Sequence, residues 1–223
     1  MNELSRRRVL GVAGAAAGTA LLGLTPSVAA AAPRTEAAAG ESRWRGSTSA
    51  NGWKILAKAE EHTIEGSGRT VRLADGEAAT LLLHVARRFH YEIDALRTGD
   101  VTGHRTDRAV RQPYESNHLS GTALAIRPHA YPQGVRGGLY AHELLVVRDI
   151  LAELDGAVAW GGDFDVPQES HFEVALAPDH PKVRGVARKL TTWRDTPGRG
   201  AGTVDVFTPA RREAARKFTQ RAH

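Results

Sequence analysis

Residues 116–128 read SNHLSGTALAIRP. His118 comes two residues after Ser116, and the small residues that follow it predict a turn before the strand-like run GTALAIR. The segment 123–126 within that run contains no acidic side chain. His118 is therefore open to two interpretations. It is either a metal ligand whose partners lie elsewhere in the chain, or a loop histidine in a protein that binds no metal.

The composition limits the chemistry available to the chain. Its 223 residues suit a single domain once the ends are set aside, and 41% apolar with 25% charged residues is ordinary for a soluble globular protein. The sequence contains no cysteine, which excludes disulfides, thiolate metal sites and a cysteine nucleophile. Any metal must be held by His, Asp or Glu. The sequence also lacks a G-x-S-x-G elbow, a P-loop and a G-x-G-x-x-G motif, so serine hydrolysis and nucleotide binding have no support.

The N-terminal segment has the features of an export signal. SRRRVL at residues 5–10 contains the paired arginines of the twin-arginine (Tat) pathway, and an Ala/Gly/Leu run to Leu24 is followed by TPSVAAAAP. The apolar run is about 16 residues long, short of the ~20 that a membrane span needs. We therefore predict a Tat signal peptide over residues 1–32, cleaved between Ala29 and Ala32. The mature protein is expected to be secreted or cell-wall associated, without a transmembrane segment.

The net positive charge of the chain limits the classes of partner that we expect it to bind. The net charge is +5 and the pI is about 9.9, and loss of residues 1–32 removes three arginines and one glutamate, which leaves about +3. Outside the cell we expect no nucleic-acid partner. A solvated basic surface is the simplest interpretation, and anionic cell-wall polymers are the more plausible counter-surface.

The remaining chain divides by composition and periodicity. We predict a flexible linker at 33–50, one folded domain at 51–196 and a basic, partly helical tail at 197–223. Apolar periodicity predicts helices over about 75–91, with Asp75 as N-cap, and over 139–154. Further segments are expected to be a third helix (PKVRGVARKLTTW) and strands (GTALAIR, AVAWGGDF, SHFEVAL and TVDVF). Arg87 and Arg88 are expected on the exposed side of the first helix. Because helices and strands segregate, the fold class is α+β with a small antiparallel sheet and packed helices.

Three short clusters could carry chemistry. They are Ser116-Asn117-His118 with Gly121 and Ala123, then Trp160-Gly161-Gly162-Asp163-Phe164, and finally Glu169-Ser170-His171-Phe172-Glu173. Two histidines beside strand-like segments can converge and offer two imidazole nitrogens to a zinc ion. Taken singly, each histidine is as well explained by a structural hydrogen bond, and the Trp-Gly-Gly run by a tight turn.

Together the clusters resemble the D-alanyl-D-alanine carboxypeptidase family of zinc peptidases, of the VanY and VanX type. The family pattern is S-x-H-x-x-G-x-A-x-D, later W-G-G, then [DE]-x-x-H-F. This sequence matches the pattern over about half of the mature chain, at Ser116, His118, Gly121, Ala123, Trp160, Gly161, Gly162, His171 and Phe172. The resemblance implies a carboxypeptidase-like core of the DD-peptidase and Hedgehog type, with zinc as cofactor held by His118 and His171. It also implies cell-wall peptide or peptidoglycan as partner, with Ser116, Arg105 and Trp160 at the substrate.

Two central positions depart from the family pattern. The expected zinc aspartate falls on Ala125, and the expected general base falls on Gln168. Alanine cannot coordinate a metal, and a glutamine amide does not act as a base at ordinary pH. Loss of the base by itself removes about 10²–10⁴ in rate.

Neighbouring residues are candidates to replace what is missing. Glu169 is the candidate for the displaced base or the third ligand. Arg108 is the preferred candidate for the arginine that polarises the scissile carbonyl, and Arg105 is the alternative. Other candidate ligands are His129, Asp163 and Asp165.

If the site is complete, we expect zinc-activated water to hydrolyse cell-wall peptides. The alternative is a catalytically inactive peptidase-like module that binds peptidoglycan or a protein partner. A third possibility is a folded scaffold whose basic tail is attracted to anionic polymers.

Overall fold

A computed structural model describes residues 40–198 and 205–222. The predicted signal peptide, residues 1–32, lies outside the described residues. The strands are β1 (Ser42–Arg43), β2 (Glu60–Ile64), β3 (Arg69–Leu73), β4 (Val101–Thr102), β5 (Ala109–Val110), β6 (Ala123–Ile126), β7 (Val158–Trp160) and β8 (His171–Val174). The helices are α1 (Glu77–Glu92), α2 (Ala141–Glu153), α3 (Pro181–Arg194) and α4 (Pro209–Ala222), with 3-10 turns at Pro113–His118 and Gly161–Asp163.

The central sheet has four antiparallel strands in the order β4-β6-β8-β7. Two smaller antiparallel pairs, β2-β3 and β1-β5, flank it. The predicted α+β class with small antiparallel sheets and packed helices is thereby confirmed. None of the helices in the described part of the chain is long and apolar enough to span a bilayer.

One hydrophobic core joins the sheet to the helices. Leu124 of β6 and Phe172 of β8 are buried in the same cluster as the apolar faces of α1, α2 and α3. The predicted stripe of α1 is confirmed at Leu81, Leu82 and Val85, each 0% exposed. Because side chains alternate across a strand, this face of β6 and β8 holds the core, and the other face is left to carry a site.

The helix boundaries are close to the predicted ones, with one difference at the start of α1. Asp75 does not cap this helix: Gly76 occupies the N-cap position with φ 83°, and no side chain caps the helix there. A positive φ is readily adopted by glycine, which explains why the chain enters the helix through Gly76. At the other end of the domain, His180 provides a side-chain cap for α3 by accepting from the Lys182 N–H.

Two further predictions differ from the structure. The expected linker 33–50 is ordered in its described part, because β1 pairs with β5 and buried Ser49 donates to Asn51 and bonds Ser120. Residues 205–208, the described end of the predicted TVDVF strand and the residue after it, form a turn that leads into α4.

Arg88 was expected on the exposed side of α1, but its side chain is 0% exposed. Its guanidinium is neutralised by Glu92 of α1 and by Asp149 and Glu153 of α2. A buried charge needs such partners, and here they join α1 to α2.

Candidate functional site

The strand register places the alanine that departs from the family pattern directly opposite one of the two histidines. Ala125 of β6 pairs with His171 of β8, and Ala123 pairs with Glu173. Residues directly opposite in an antiparallel pair share a face of the sheet. His171 and Glu173 therefore lie on the face away from the core, above the small side chains of Ala123 and Ala125.

The 3-10 turn Pro113–His118 brings the second histidine to this face. Gln112 and Glu115 form a capping box at its start. The Ser116 hydroxyl donates to the Pro113 carbonyl and accepts from the Ala50 N–H. The ring of His118 then lies 5.2 Å from that of His171, centroid to centroid, in an edge-on arrangement. Two histidines 53 residues apart in the sequence thus lie side by side.

Hydrogen bonds fix the tautomer of each imidazole. His118 Nδ1 lies 2.9 Å from the Gly103 carbonyl oxygen, which can only accept, so Nδ1 carries the proton and Nε2 keeps its lone pair. His171 Nε2 lies 2.7 Å from Glu173 Oε2, and the same oxygen accepts from Asn117 Nδ2 at 2.7 Å. His171 Nδ1 is then an acceptor, and it is buried without a hydrogen-bond partner in the described structure.

Burial keeps His118 neutral. Desolvation, with a smaller contribution from His171, lowers the pKa of His118 to about 3. The imidazole therefore stays uncharged across the physiological pH range. Neutral rings with one nitrogen donating to a carbonyl or carboxylate and the other free are the arrangement that metal-ligating histidines show.

Two aromatic rings pack against His171. Tyr114 and Phe164 contact the imidazole at centroid distances of 5.0 and 6.0 Å, and they contact each other at 4.9 Å. The Tyr114 hydroxyl donates to the Val166 carbonyl and accepts from Gln133, and burial raises its pKa to about 12. Beside these rings lies a cleft of about 540 Å³, whose polar lining includes Asn117, Glu173 and the exposed carboxylate of Asp165.

The groups needed for a complete zinc site are not assembled around the histidines. Both carboxylate oxygens of Glu169 accept backbone N–H groups, from Gly137 at 2.7 Å and Gly138 at 2.8 Å. Gln168, where the family has its base, has a buried side-chain oxygen without a partner in the described structure. Among the described residues, no three His, Asp or Glu side chains are grouped so that they could hold one metal ion.

The other candidate ligands lie in different surroundings. His129 is mostly exposed and is 3.7 Å from Asp100. Asp163 makes a two-pronged ion pair with Arg148 at 2.5 and 2.6 Å, and Asp165 lines the cleft. The donor set at the site is thus two imidazoles, whereas a catalytic zinc centre uses three protein ligands. The residues present do not fit that complete centre.

Of the two candidate arginines, Arg105 is the one at the histidine pair. Its backbone N–H donates to the His118 carbonyl at 3.2 Å, and its charge contributes to the lowered pKa of His118. The guanidinium of Arg108 instead donates to the carbonyls of Trp44 and Gly46, where it holds the N-terminal strand segment.

Ser116 and Trp160 support the site from within the protein and are not exposed to a ligand. Ser116 is 0% exposed, and both functions of its hydroxyl are used in the turn. Trp160 Nε1 donates to the Glu169 carbonyl, and the indole ring covers Gly162 so closely that a Cβ there would lie 2.3 Å from a ring carbon. The Trp-Gly-Gly run is therefore required by packing.

Sequence reasoning did not assign the roles of Asn117, Glu173 or the Gly103 carbonyl. The spacing H-F-E already places Glu173 on the face of His171, which is the signal that could have identified it. The contributions of Asn117 and Gly103 depend on how the 3-10 turn packs against β8 and the segment after β4, which no local pattern encodes.

Comparison with known protein families, curated proteins and solved structures finds no match for this chain.

Proposed function

We propose that this chain is an exported peptidase-like module whose cleft binds cell-wall peptides without hydrolysing them. Three features support the proposal: the family-like motif clusters, the convergence of His118 and His171 on one face of the sheet, and the Tat-like residues at the N-terminus. Its fold would then be the carboxypeptidase-like core that the motifs imply.

The observation that carries the proposal is the pairing of Ala125 with His171. The position that faces the histidine across the sheet offers a methyl group where the family has a carboxylate. The nearest replacement in sequence, Glu169, has both oxygens engaged by the Gly137 and Gly138 amides. Recruiting it would break both of these hydrogen bonds to the carboxylate, which are of the stronger, charge-assisted kind.

The cleft itself supports peptide recognition. Its walls combine aromatic rings with amide and carboxylate groups, namely Tyr114, Phe164, Asn51, Asn117 and Glu173. Apolar walls with a few fixed polar groups are typical of ligand sites, and the volume of about 540 Å³ falls within their usual range. The amides of Asn51 and Asn117 and the carboxylate of Glu173 are the cleft groups that would bond a bound peptide, because the buried His118 and His171 do not line the cleft.

One observation favours a second candidate, zinc-dependent hydrolysis of the same peptides. His171 Nδ1 is an orphaned acceptor in a fully buried ring, and a metal ion would relieve it. His118 and His171 would hold the ion, which supplies Lewis-acid chemistry when bound. This candidate requires a third protein ligand that the described residues do not bring to the pair.

A binding and product assay on the full chain separates the two candidates. Purified muropeptides are titrated with and without zinc, and the peptides are then analysed by mass spectrometry. The proposal expects binding that survives chelation and peptides of unchanged mass. Zinc-dependent loss of a residue from the stem peptide, abolished by His171→Ala, would overturn it in favour of hydrolysis.

A pair of matched variants tests the location of binding. Ala175 is exposed and lines the cleft, whereas Ala130 is exposed in the loop after β6 and does not line it. Ala175→Trp would fill the cleft and is expected to weaken muropeptide binding at least ~10-fold, while Ala130→Trp changes it little. Equal binding by both variants would refute the cleft as the binding site.

A further inference from the structure

The C-terminal helix α4 presents a one-sided array of positive charge. Its 14 residues include five basic side chains, Arg211, Arg212, Arg216, Lys217 and Arg221, and a single acidic one, Glu213. Without residues 1–32 the chain has 27 basic and 24 acidic residues, and without α4 as well it has 22 and 23. The whole positive excess of the predicted mature chain therefore lies on this helix.

Only one of these cations is used to hold the helix in place. Arg211 makes a two-pronged bond to Asp149 at 2.9 and 2.6 Å and contacts Glu153 at 3.0 Å, both on α2. Ala215 is buried on the same side, and Phe218 packs against the core. The docked face of α4 is thus complete without the other four cations.

Those four cations all face solvent. Arg212, Arg216, Lys217 and Arg221 are exposed. Glu213 Oε1 is shared by Arg216 at 2.7 Å and Lys217 at 3.5 Å. Within the described part of the chain, Arg212 and Arg221 have no carboxylate at ion-pair distance. The outward face of α4 therefore keeps a net charge of about +3 in a helix of 14 residues.

The spacing of the cations suits a chain of anions. Arg212 with Arg216, and Lys217 with Arg221, are i,i+4 neighbours, whose Cβ atoms lie about 5–6 Å apart. Arg212 and Arg216 also line a groove of about 580 Å³ between α4 and α2, together with Leu145 and Arg148. Guanidinium groups bind phosphate oxygens in two-pronged fashion, which makes arginine the preferred contact for phosphodiesters.

We propose that the outward face of α4 and its groove against α2 bind an anionic, phosphodiester-linked polymer of the cell envelope. The choice of polymer over a lipid surface follows from the apolar residues: Ala215 and Phe218 face the domain and are not available to enter a bilayer. The choice of an envelope polymer over nucleic acid rests on the export signal that the sequence predicts. The inference is independent of the histidine cleft.

The test measures binding of the full chain to fluorescent poly(glycerol phosphate) over a range of salt concentrations. Arg212→Gln/Arg221→Gln removes two unpaired cations from α4. The matched control, Arg184→Gln/Arg194→Gln, removes two exposed cations of α3 that are paired with Asp179 and Asp195. We expect the α4 variant to lose about 10-fold or more in affinity and its salt slope to fall by roughly 1.5, as for two lost phosphate contacts.

Each alternative result contradicts the proposal. Equal losses in both variants would show a general charge effect, and no binding by the parent chain would exclude the partner. Tighter binding to duplex DNA at equal phosphate concentration would assign the face to nucleic acid, and tighter binding to anionic vesicles would assign it to a lipid surface. The four side chains are exposed, so circular dichroism of the variants should be unchanged.

Discussion

Replacing Ala125 by aspartate should convert the histidine pair into a metal site. Ala125 is 4% exposed and pairs directly with His171, so a carboxylate at this position projects from the same face as the imidazole. Cβ atoms of directly opposite residues are about 4.5–5.5 Å apart. That distance allows an aspartate oxygen and His171 Nδ1 to reach one ion.

The size of the effect follows from two opposing terms. Structural zinc sites with four ligands contribute about 10–16 kcal/mol, or roughly 3 kcal/mol for each ligand, which corresponds to about 100-fold in Kd. Without metal, the new buried carboxylate has no cation partner, and we expect a loss of about 2 kcal/mol in the free energy of unfolding. For a domain of this size that is about 4–8 °C in Tm.

The assay is zinc competition against a chromophoric chelator, with thermal unfolding measured in parallel. Ala125→Asp should bind zinc about 100-fold more tightly than the parent chain, and saturating zinc should restore its Tm. Ala123→Asp is the matched control, because it lies on the same strand and face but pairs with Glu173. If Ala125→Asp gains no affinity, or Ala123→Asp gains as much, the proposed geometry is wrong.

Three further predictions concern the buried polar groups. Arg88→Met leaves Glu92, Asp149 and Glu153 without their shared cation and should lower the free energy of unfolding in urea by about 3–5 kcal/mol. Arg87→Met, which removes only a pair with the exposed Glu65, should change it by less than about 1 kcal/mol. In metal-chelating buffer the free energy of unfolding should fall as the pH is lowered from 6.5 towards 3. In this range His118 takes up a proton in the unfolded state but stays neutral in the folded state, where its pKa is about 3. The loss should total roughly 5 kcal/mol, and His118→Gln should remove this part of the pH dependence in urea titrations. Glu173→Gln should shift His171 away from the tautomer protonated at Nε2, as read from imidazole ¹⁵N shifts; an unchanged tautomer would show that Glu173 does not set it.

The sequence predicts the scaffold of the site better than its chemistry. Apolar spacing places α1, α2 and α3 within a few residues, because burial of Leu82, Ile150 or Val183 depends on a local period. The alternation in SHFEVAL likewise places Phe172 in the core and His171 on the opposite face. These features are local, and a pattern of a few residues determines them.

Features that depend on tertiary packing were not predictable. Arg88 looked like a surface residue because its three acidic partners include two on another helix, 61 and 65 residues along the chain. Arg108 and Arg105 are three residues apart, and the sequence favours Arg108 as the catalytic arginine, yet only Arg105 adjoins His118. They differ because β5, which follows Arg108 directly, pairs with β1 and so brings Arg108 next to the Trp44 carbonyl.

The polar network around His171 indicates where a ligand should act. The register of β6 is determined by Leu124 and Ile126 on the core face, so the residue at position 125 can change without affecting the strand. Asn117, Glu173 and His171 Nε2 satisfy one another, so this network has a structural role of its own. His171 Nδ1 is the exception, since a buried acceptor without a partner is unfavourable by about 1–3 kcal/mol. A metal ion at this nitrogen would recover that free energy. A muropeptide in the cleft would instead meet Glu173, which lines the cleft and bonds His171 Nε2, so the ¹⁵N shift of Nε2 should respond when the cleft is occupied.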